Sequence, residues 1–374
     1  MPSVGANNKN AFMISFQEYV PLHTFTTFKL GGTARFFVRV GTVEEMREAV
    51  DRAKKGLIEI GTPTDIFVLG GGSNILVSDT GFNGLVIKNE IMGIEVEKRD
   101  GDSVFVTAGA GENWDDFVAS MTERGFFGLE NLSYIPGTVG AAPVQNIGAY
   151  GAEVAQFIHS VDALDIVTGK YVTFSGTECM FEYRDSFFKK NPGKYSISRV
   201  TFALSTTPVT NISYKDLKEF FAAANVSASI TPAHIRAAVI EIRKKKLPDW
   251  HTIGTAGSFF KNPVISSEKY AELKAQYPEL PHYPVAQAHH VKIPLAWVLD
   301  NVCGYKAKIR TTENGAPSAI GTYQNQALVI VNDYMKIPGA TAASVVAFAQ
   351  EIVDIVKTKT GIDIEPEVQY IGFK

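Results

Sequence analysis

Residues 68–79 read VLGGGSNILVSD, and this stretch decides how the first half of the chain is interpreted. Gly70, Gly71 and Gly72 separate two β-rich segments, and glycine backbone can approach a ligand closely and form a concavity that binds anions. The spacing is not GxGxxG and no GK[ST] follows, so neither a Rossmann turn nor a P-loop is supported. A tight hairpin on glycines with positive φ is an equally weighted alternative.

A second stretch of small residues covers residues 135–154 and reads IPGTVGAAPVQNIGAYGAEV. It has little side-chain bulk to bury, so its cost in backbone entropy makes sense if backbone atoms lie against a flat or phosphorylated ligand. An irregular crossover loop is the alternative. Two such stretches in one chain favour an extended dinucleotide over a lone phosphate.

Regular elements surround these stretches. A short strand over residues 36–40 precedes a helix over TVEEMREAVDRAKK, which has a threonine cap, an acidic first turn and a basic last turn. Further strands are predicted over GLVIKN, GIEVEKRD, SVFVTAGAG, VDALDIVT and KYVTFS, and an amphipathic helix over ENWDDFVASMTERGF. A helix over residues 230–246 begins at Thr231 and Pro232 and ends in four cations, and we place a domain boundary at its end.

Beyond residue 246 the pattern changes. We expect a loop rich in glycine, serine and asparagine, and then a helix over IPLAWVLDNV. The remaining elements are a strand over QALVIVN, a helix over ATAASVVAFAQEIVDIVKTKT and a last strand over IEPEVQYIG.

Composition narrows the class of protein. A chain of 374 residues exceeds the size of one hydrophobic core, so we expect two or three domains. The net charge of −3 argues against a nucleic-acid partner. Cys179 and Cys303 lie far apart without metal-ligand spacing, so we expect reduced thiols and no metal site. Neither a signal peptide nor a run of about 18 apolar residues is present, so we expect a cytoplasmic protein that does not enter a membrane.

Six segments in chain order carry a resemblance to a known family. They are HTFTTFKLGGTARFFV, LGGGSNILVSD, YIPGTVGAAPVQNIGAYGAE, FEYRDSFFK, GTAGSFFKNP and IEPEV. Together they resemble the UDP-N-acetylenolpyruvoylglucosamine reductase family from residue 24 to residue 372.

This resemblance implies an α+β protein with a vanillyl-alcohol-oxidase-like FAD-binding fold in two subdomains, followed by an α+β substrate-binding domain. The expected boundaries are a loosely ordered N-terminus at 1–20, a first FAD-binding subdomain at 21–90 completed by a C-terminal strand near 363–374, a second at 91–246 and the substrate-binding domain at 247–362. It also implies non-covalently bound FAD, NADPH as hydride donor, a UDP-sugar as small-molecule substrate, and a monomer.

Three residues are implied to be catalytic. Ser258 in GTAGSFFKNP would donate a proton, although a serine that caps its own turn is the alternative. Arg184 in FEYRDSFFK would bind a carboxylate through two parallel hydrogen bonds from its guanidinium, with a surface ion pair as the alternative. Glu367 in IEPEV would act as a partly buried, proton-bearing electrophile with a raised pKa, with a solvated glutamate as the alternative.

The resemblance also implies binding residues. Lys246 is an expected UDP-sugar contact, although a run of cations at a helix end is usually a solvated terminus. Gln369 stands where an arginine near the FAD is expected, and Lys29 or Arg35 are the candidates to supply that charge. The other substrate contacts are Tyr183, Tyr214, Asn262 and Tyr283, and the cofactor contacts are Gly70, Gly71, Gly72, Ser73, Asn74, Pro136, Gly137, Thr138, Gly140, Asn146, Gly148 and Gly151.

The expected activity is NADPH-dependent, FAD-mediated reduction of UDP-N-acetylglucosamine enolpyruvate to UDP-N-acetylmuramate in peptidoglycan precursor synthesis. One alternative is another FAD oxidoreductase of the same superfamily, such as a sugar or lactone oxidase, which would consume oxygen without NADPH. A second is a catalytically silent flavin-binding protein, which would have lost Ser258, Arg184 or Glu367. All three are present.

Overall fold

The computed structural model describes residues 14–59, 61–224, 229–312 and 314–373, and its first sheet mixes parallel and antiparallel pairing. The strand order is β1-β2-β5-β3, in which β1 is antiparallel to β2 while β2 and β3 both run parallel to β5. The elements are β1 (Gln17–Pro21), β2 (Thr33–Val40), α1 (Val43–Lys55), β3 (Ile66–Leu69), β4 (Ile75–Val77) and β5 (Phe82–Asn89). Most of the N-terminus expected to be loosely ordered lies outside the described residues, but its last part forms β1.

Helix α1 confirms the β-α-β interpretation. The Thr42 side chain accepts from the Glu45 amide and the Glu45 side chain bonds back to Thr42, so both ends of a capping box are present. Met46, Ala49 and Val50 form its buried face, and they belong to the hydrophobic cluster that includes strands β2 and β5. The spacing of three and four residues places these side chains on one side of the helix.

The second sheet is antiparallel throughout, with strand order β11-β10-β12-β7-β6. Helix α2 covers it, and the packed rings of Trp114, Phe117 and Phe202 join the helix to β12. The elements are β6 (Ile94–Asp100), β7 (Ser103–Gly109), α2 (Trp114–Glu123), β8 (Gly148–Ala149), β9 (Ala152–Glu153), β10 (Ile158–Asp165), β11 (Tyr171–Ser175), α3 (Phe187–Lys190), β12 (Tyr195–Ser205), α4 (Lys215–Ala223) and α5 (Pro232–Lys246).

A third group of elements forms a four-stranded sheet, β13-β19-β18-β17, and a three-stranded sheet, β14-β16-β15. Helix α8 packs its apolar face into the same hydrophobic cluster as the four-stranded sheet. The elements are β13 (Gly254–Ser258), β14 (Val264–Ser266), α6 (Ser267–Gln276), β15 (Tyr283–Pro284), β16 (His290–Lys292), α7 (Leu295–Val298), β17 (Ile309–Thr311), β18 (Pro317–Tyr323), β19 (Gln326–Asn332), α8 (Ala342–Thr360) and β20 (Gln369–Ile371).

The C-terminus returns to the start of the chain. Strand β20 runs parallel to β4, with Gln369 opposite Ile75 and Ile371 opposite Val77. Because β3 and β4 lie in different sheets, the hairpin alternative for the three-glycine stretch is wrong. The domain boundaries expected from the sequence stay a prediction.

Two expectations beyond residue 246 need correction. The expected loop contains strand β13 and helix α6, because β13 is held by pairing with β19, about 75 residues further along the chain, which local composition does not reveal. The helix expected over IPLAWVLDNV is only four residues of α-helix, Leu295–Val298, continued by a π-helical turn over Leu299–Cys303. Within the described residues, no helix combines the length and apolar character required to cross a membrane.

Candidate active site

The two glycine-rich stretches lie side by side and form one wall of a cavity of about 280 Å³. Apolar and aromatic side chains, including Trp114, Phe188 and Tyr195, line the rest of it together with β20. Of the expected cofactor contacts, nine line this cavity: Gly70, Gly71, Gly72, Ser73, Asn74, Pro136, Gly137, Thr138 and Gly140.

Close packing between the stretches explains part of their glycine content. A Cβ on Gly71 would lie 2.6 Å from the Gly137 Cα atom, closer than real Cβ contacts occur. Beside this contact the Ser73 hydroxyl donates to the Pro136 carbonyl at 2.7 Å. The glycines therefore allow two backbones to meet as well as allowing a ligand to approach.

The three-glycine stretch offers hydrogen-bond donors to the cavity. The backbone amides of Gly71, Gly72 and Ser73 donate to no acceptor in the described parts of the chain. Consecutive free amides make an anion-binding concavity, which fits the pyrophosphate of a dinucleotide. The apolar walls fit a flat ring system, so the residues present suit FAD.

Charge near the cavity comes from a residue that sequence reasoning missed. Neither Lys29 nor Arg35 lines it, and Arg35 pairs with Glu18 at 3.6 Å, so the cavity gives no support to the expectation that one of them compensates for Gln369. Among the described lining residues Lys189 alone is charged, and burial lowers the pKa of its ammonium. Its position as the last residue of the FEYRDSFFK motif was the one sequence feature that could have pointed to Lys189.

Three expected cofactor contacts, Asn146, Gly148 and Gly151, do not line the cavity. The Asn146 side chain is 1% exposed and bonded within the protein, and the Gly148 carbonyl accepts from Arg184 at 2.6 Å. Asn146 and Gly148, near the end of the second stretch, therefore contact Arg184 and do not line the cavity.

The side chains of Arg184 and Glu367 meet in a largely buried contact. The Arg184 Nε atom lies 3.1 Å from Glu367 Oε1, and their side chains are 20% and 11% exposed. Arg184 has φ of +56°, an uncommon backbone conformation for a side chain of this size. Its Nε contacts Glu367, Nη2 donates to the Gly148 carbonyl and Nη1 to the Asn146 carbonyl, so one N–H on each outer nitrogen remains for a ligand.

Glu367 is held by backbone contacts from two directions. Its amide donates to the Phe259 carbonyl at 2.8 Å, and its carbonyl accepts from Asn74 Nδ2 at 3.2 Å. Asn74 also bonds to the Gln145 side chain, which joins both glycine-rich stretches to this point. Burial raises the pKa of the Glu367 carboxyl, and the nearby cations, Arg184 first, oppose that rise.

Ser258 ends strand β13, next to the Phe259 carbonyl that holds Glu367. The pairing of β13 with β19 has an irregular register between Thr255 and Ser258, and Gly257 there has φ of +76°. A bulge of this kind redirects the side chain that follows it. The sequence motif thus places Ser258 at a strand end, one residue before the carbonyl that accepts from the Glu367 amide.

Tyr183 and Asn262 meet at the side of the pair. Burial raises the pKa of Tyr183, and Asn262 is close enough to the Tyr183 hydroxyl to oppose that rise. Asn262 Oδ1 also accepts from the Leu295 amide at 2.9 Å. Lys292 Nζ lies 4.3 Å from the centre of the Tyr183 ring, a cation that sequence analysis missed because a single lysine in a short strand carries no motif.

Tyrosines gather where α4 begins. The rings of Tyr150 and Tyr214 are 5.5 Å apart, and Tyr283 is close enough that its charge affects Tyr214. Burial, first, and neighbouring Tyr283 and Asp216 raise the pKa of Tyr214 to about 12. Lys246 forms an ion pair with Asp216 at 2.5 Å and remains about half exposed.

Comparison with known proteins identifies the chain. A model of the FAD binding domain matches residues 34–175, and one of the UDP-N-acetylenolpyruvoylglucosamine reductase C-terminal domain matches residues 248–371. The reductase of that name from Burkholderia ambifaria is 40% identical over 349 residues, which cover 93% of this chain and 94% of the relative. The chain belongs to the UDP-N-acetylenolpyruvoylglucosamine reductase family.

Other members agree with this assignment. The UDP-N-acetylenolpyruvoylglucosamine reductase of Porphyromonas gingivalis is 42% identical over 304 residues, covering 81% of this chain and 85% of the relative. The crystal structure of UDP-N-acetylenolpyruvylglucosamine reductase from Thermus caldophilus superposes with a TM-score of 0.61 at 22% identity, covering 96% of this chain and 99% of that one. The expected α+β fold, with an FAD-binding domain followed by the C-terminal domain of the reductase family, is confirmed, and the reductase is an oxidoreductase with an FAD-binding domain.

Proposed function

We propose that this reductase uses NADPH and non-covalently bound FAD to reduce UDP-N-acetylglucosamine enolpyruvate to UDP-N-acetylmuramate in peptidoglycan precursor synthesis. The observation that carries the proposal is the buried Arg184–Glu367 pair, with Ser258 on the adjoining strand, beside a cavity lined by both glycine-rich stretches. The names of relatives about 40% identical over nearly the whole chain support the same reaction. The protein would act in the cytoplasm as a monomer.

Bound FAD would supply hydride transfer from NADPH to the terminal methylene carbon of the enol ether, with NADPH leaving before the UDP-sugar enters the same cleft. The backbone amides of the three-glycine stretch would hold the pyrophosphate of the FAD. Of the expected cofactor contacts, Asn146, Gly148 and Gly151 receive no support from the cavity.

Arg184 would orient the substrate. Its free N–H groups suit the planar carboxylate of the enolpyruvyl group, because a guanidinium donates two parallel hydrogen bonds. Negative charge develops on that carboxylate side when the methylene carbon accepts hydride, and a fixed cation stabilises it. Glu367 holds the guanidinium from the other side at 3.1 Å.

Glu367 would act in its protonated form. Burial favours the neutral carboxyl, and a neutral carboxyl can donate a hydrogen bond to the developing enolate-like oxygen. Ser258 would then give its hydroxyl proton to the carbon next to the carboxylate, completing the saturated lactyl ether. Tyr183, Tyr214, Lys246, Asn262 and Tyr283 are the residues we assign to the UDP-sugar.

The visible spectrum of the purified protein and its anaerobic half-reactions test the proposal. We expect two flavin bands that bleach when NADPH is added and recover when UDP-N-acetylglucosamine enolpyruvate is added. A free sugar or lactone should not restore the bands. Bleaching followed by no recovery with the enolpyruvyl substrate would contradict the proposed reaction, and absence of the bands would contradict the cofactor.

A further inference from the structure

We propose that Asn146 is a positioning residue for Arg184 and not a cofactor contact, an inference about the substrate half-reaction that rests on the proposed function. Asn146 lies in the second glycine-rich stretch, has φ of +46° and is 1% exposed. Asparagine is among the few residues that adopt this backbone conformation readily.

The Asn146 side chain is fully bonded inside the protein. Its Nδ2 atom donates to Glu153 Oε2 at 2.8 Å and to the Glu182 carbonyl at 3.0 Å. Its Oδ1 atom accepts from the Ala155 amide at 3.1 Å. Since both amide hydrogens are used and the residue does not line the cavity, it has no donor to offer a cofactor.

The Glu182 contact fixes the turn that carries Arg184. Glu182 and Asp185 exchange backbone hydrogen bonds of 3.0 and 3.1 Å, and Arg184 lies inside this turn with φ of +56°. A large side chain stays in this conformation only where the surroundings hold it. The Asn146 side-chain amide holds one end of this turn by donating to the Glu182 carbonyl.

Asn146 also contacts the other end of the same arginine. Its own carbonyl lies 3.5 Å from Arg184 Nη1, and the Gly148 carbonyl, two residues later, accepts from Nη2 at 2.6 Å. One residue therefore reaches both the backbone before Arg184 and its guanidinium. Moving Asn146 would rotate the Arg184 guanidinium that must face the substrate carboxylate, whereas the Asn146 side chain has no contact with the three-glycine wall of the flavin cavity.

The variant Asn146→Asp tests this role in the holoenzyme. It keeps the size and the acceptor for Ala155 but removes both donors and adds a negative charge next to Glu153. We expect flavin reduction by NADPH to stay within about twofold of wild type and reoxidation by the enolpyruvyl substrate to slow by about 10²-fold, the scale of a misplaced reacting group.

The double variant Asn146→Asp with Glu153→Gln restores the hydrogen bond between positions 146 and 153 in the opposite direction. The glutamine amide donates to the aspartate, whereas in the wild type Glu153 accepts from Asn146. We expect this double variant to be reoxidised about tenfold faster than Asn146→Asp, because residue 146 is again bonded to residue 153. The recovery is partial because the Glu182 carbonyl still lacks the donor that Asn146 provided. Asn332→Asp is the matched control: Asn332 is buried and donates to the Phe28 carbonyl, and it contacts neither Arg184 nor Glu367.

A second readout needs no substrate. Phenylglyoxal modifies exposed guanidinium groups, and peptide mass mapping gives the rate at Arg184. We expect that rate to rise about fivefold or more in Asn146→Asp as the local contacts open, with Arg236, paired to Asp115, as an internal reference that does not change.

These outcomes separate the two proposals. If wild-type reduced flavin is not reoxidised by the enolpyruvyl substrate, the proposed function fails, and the modification rate at Arg184 alone decides the role of Asn146. An unchanged modification rate overturns the positioning role. So does an equal loss in both half-reactions, the same loss in Asn332→Asp, or a double variant that recovers neither folding nor reoxidation.

Discussion

The role proposed for Ser258 is the one most easily separated from the rest of the site, because the proposed proton transfer belongs to only one half-reaction. It follows a bulge and lies beside the residue that holds Glu367. In Ser258→Ala we expect flavin reduction by NADPH to persist and reoxidation by substrate to fall by about 10³-fold, within the range for a lost general acid.

Ser258→Cys is the matched comparison for this prediction. A thiol is a stronger acid than a hydroxyl, so this variant should keep measurable turnover. Stopped-flow absorbance at the flavin bands measures both steps. Equal slowing of the two half-reactions in the alanine variant would show that Ser258 does not donate the proton.

Glu367 differs from a surface glutamate because burial raises the pKa of its carboxyl. Its pKa is raised in the folded state, so folding favours the protonated carboxyl. That contribution to stability is complete below the unfolded-state pKa of about 4 and is lost as pH rises through the higher folded-state pKa. Relative to Glu367→Gln, which does not titrate, the wild type should therefore lose free energy of unfolding across this window.

Urea unfolding of both proteins at a series of pH values measures this difference. Stopped-flow reoxidation of Glu367→Gln and Glu367→Asp gives the chemical role: glutamine should be the milder change if the residue donates a hydrogen bond, since it keeps the size and a donor. A difference in stability that does not vary with pH, or wild-type reoxidation in both variants, would remove Glu367 from the proposed role.

At the scale of elements, helix α8 receives a cap from a distant part of the chain. The Asp79 carboxylate, just after β4, accepts from the Ala342 amide at 2.7 Å and from the Ala343 amide at 2.9 Å. A carboxylate at a helix N-terminus satisfies free amides and complements the helix dipole.

We expect Asp79→Ala to lower the free energy of unfolding by about 1 kcal/mol, as for loss of an N-cap. Asp102→Ala, at an exposed turn between β6 and β7, serves as the control and should change stability by less than about 0.5 kcal/mol. Chemical unfolding of the two variants side by side makes the comparison, and equal stability would show that the cap contributes nothing.

At the scale of the whole molecule, the cavity is closed by parts of the chain that lie far apart in sequence. Its lining includes Gly70, Pro136, Tyr195 and Gln369, so a ligand there contacts segments from residue 70 to residue 369. A ligand that binds only the folded protein stabilises it by mass action, by about 2.7 kcal/mol at a hundred times the dissociation constant.

We therefore expect the melting temperature of flavin-free protein to rise with FAD concentration. FMN lacks the pyrophosphate and adenosine half and should give a smaller rise at the same concentration, because the three-glycine amides are then less used. Differential scanning calorimetry measures both. A melting temperature that does not depend on FAD would contradict the assignment of this cavity.

The sequence by itself determined features that depend on neighbours within a few residues. The helix over residues 42–55 was predicted from its cap and charge pattern, and the helix ending at Lys246 from a threonine–proline start and a basic end. The motifs around Gly70, Arg184 and Ser258 gave the family. These features are local because caps and turns satisfy backbone groups that lie close along the chain.

Tertiary structure decided what depends on distant partners. Strand β13 exists because it pairs with β19, and the hairpin alternative at Gly71 failed because β4 pairs with β20 instead of β3. The raised pKa of Glu367 follows from burial among residues of several segments, and Asn146 bonds to Glu182 and not to the cavity. Pairing, burial and hydrogen-bond direction are set by residues that meet only in the folded chain, so no local pattern of sequence encodes them.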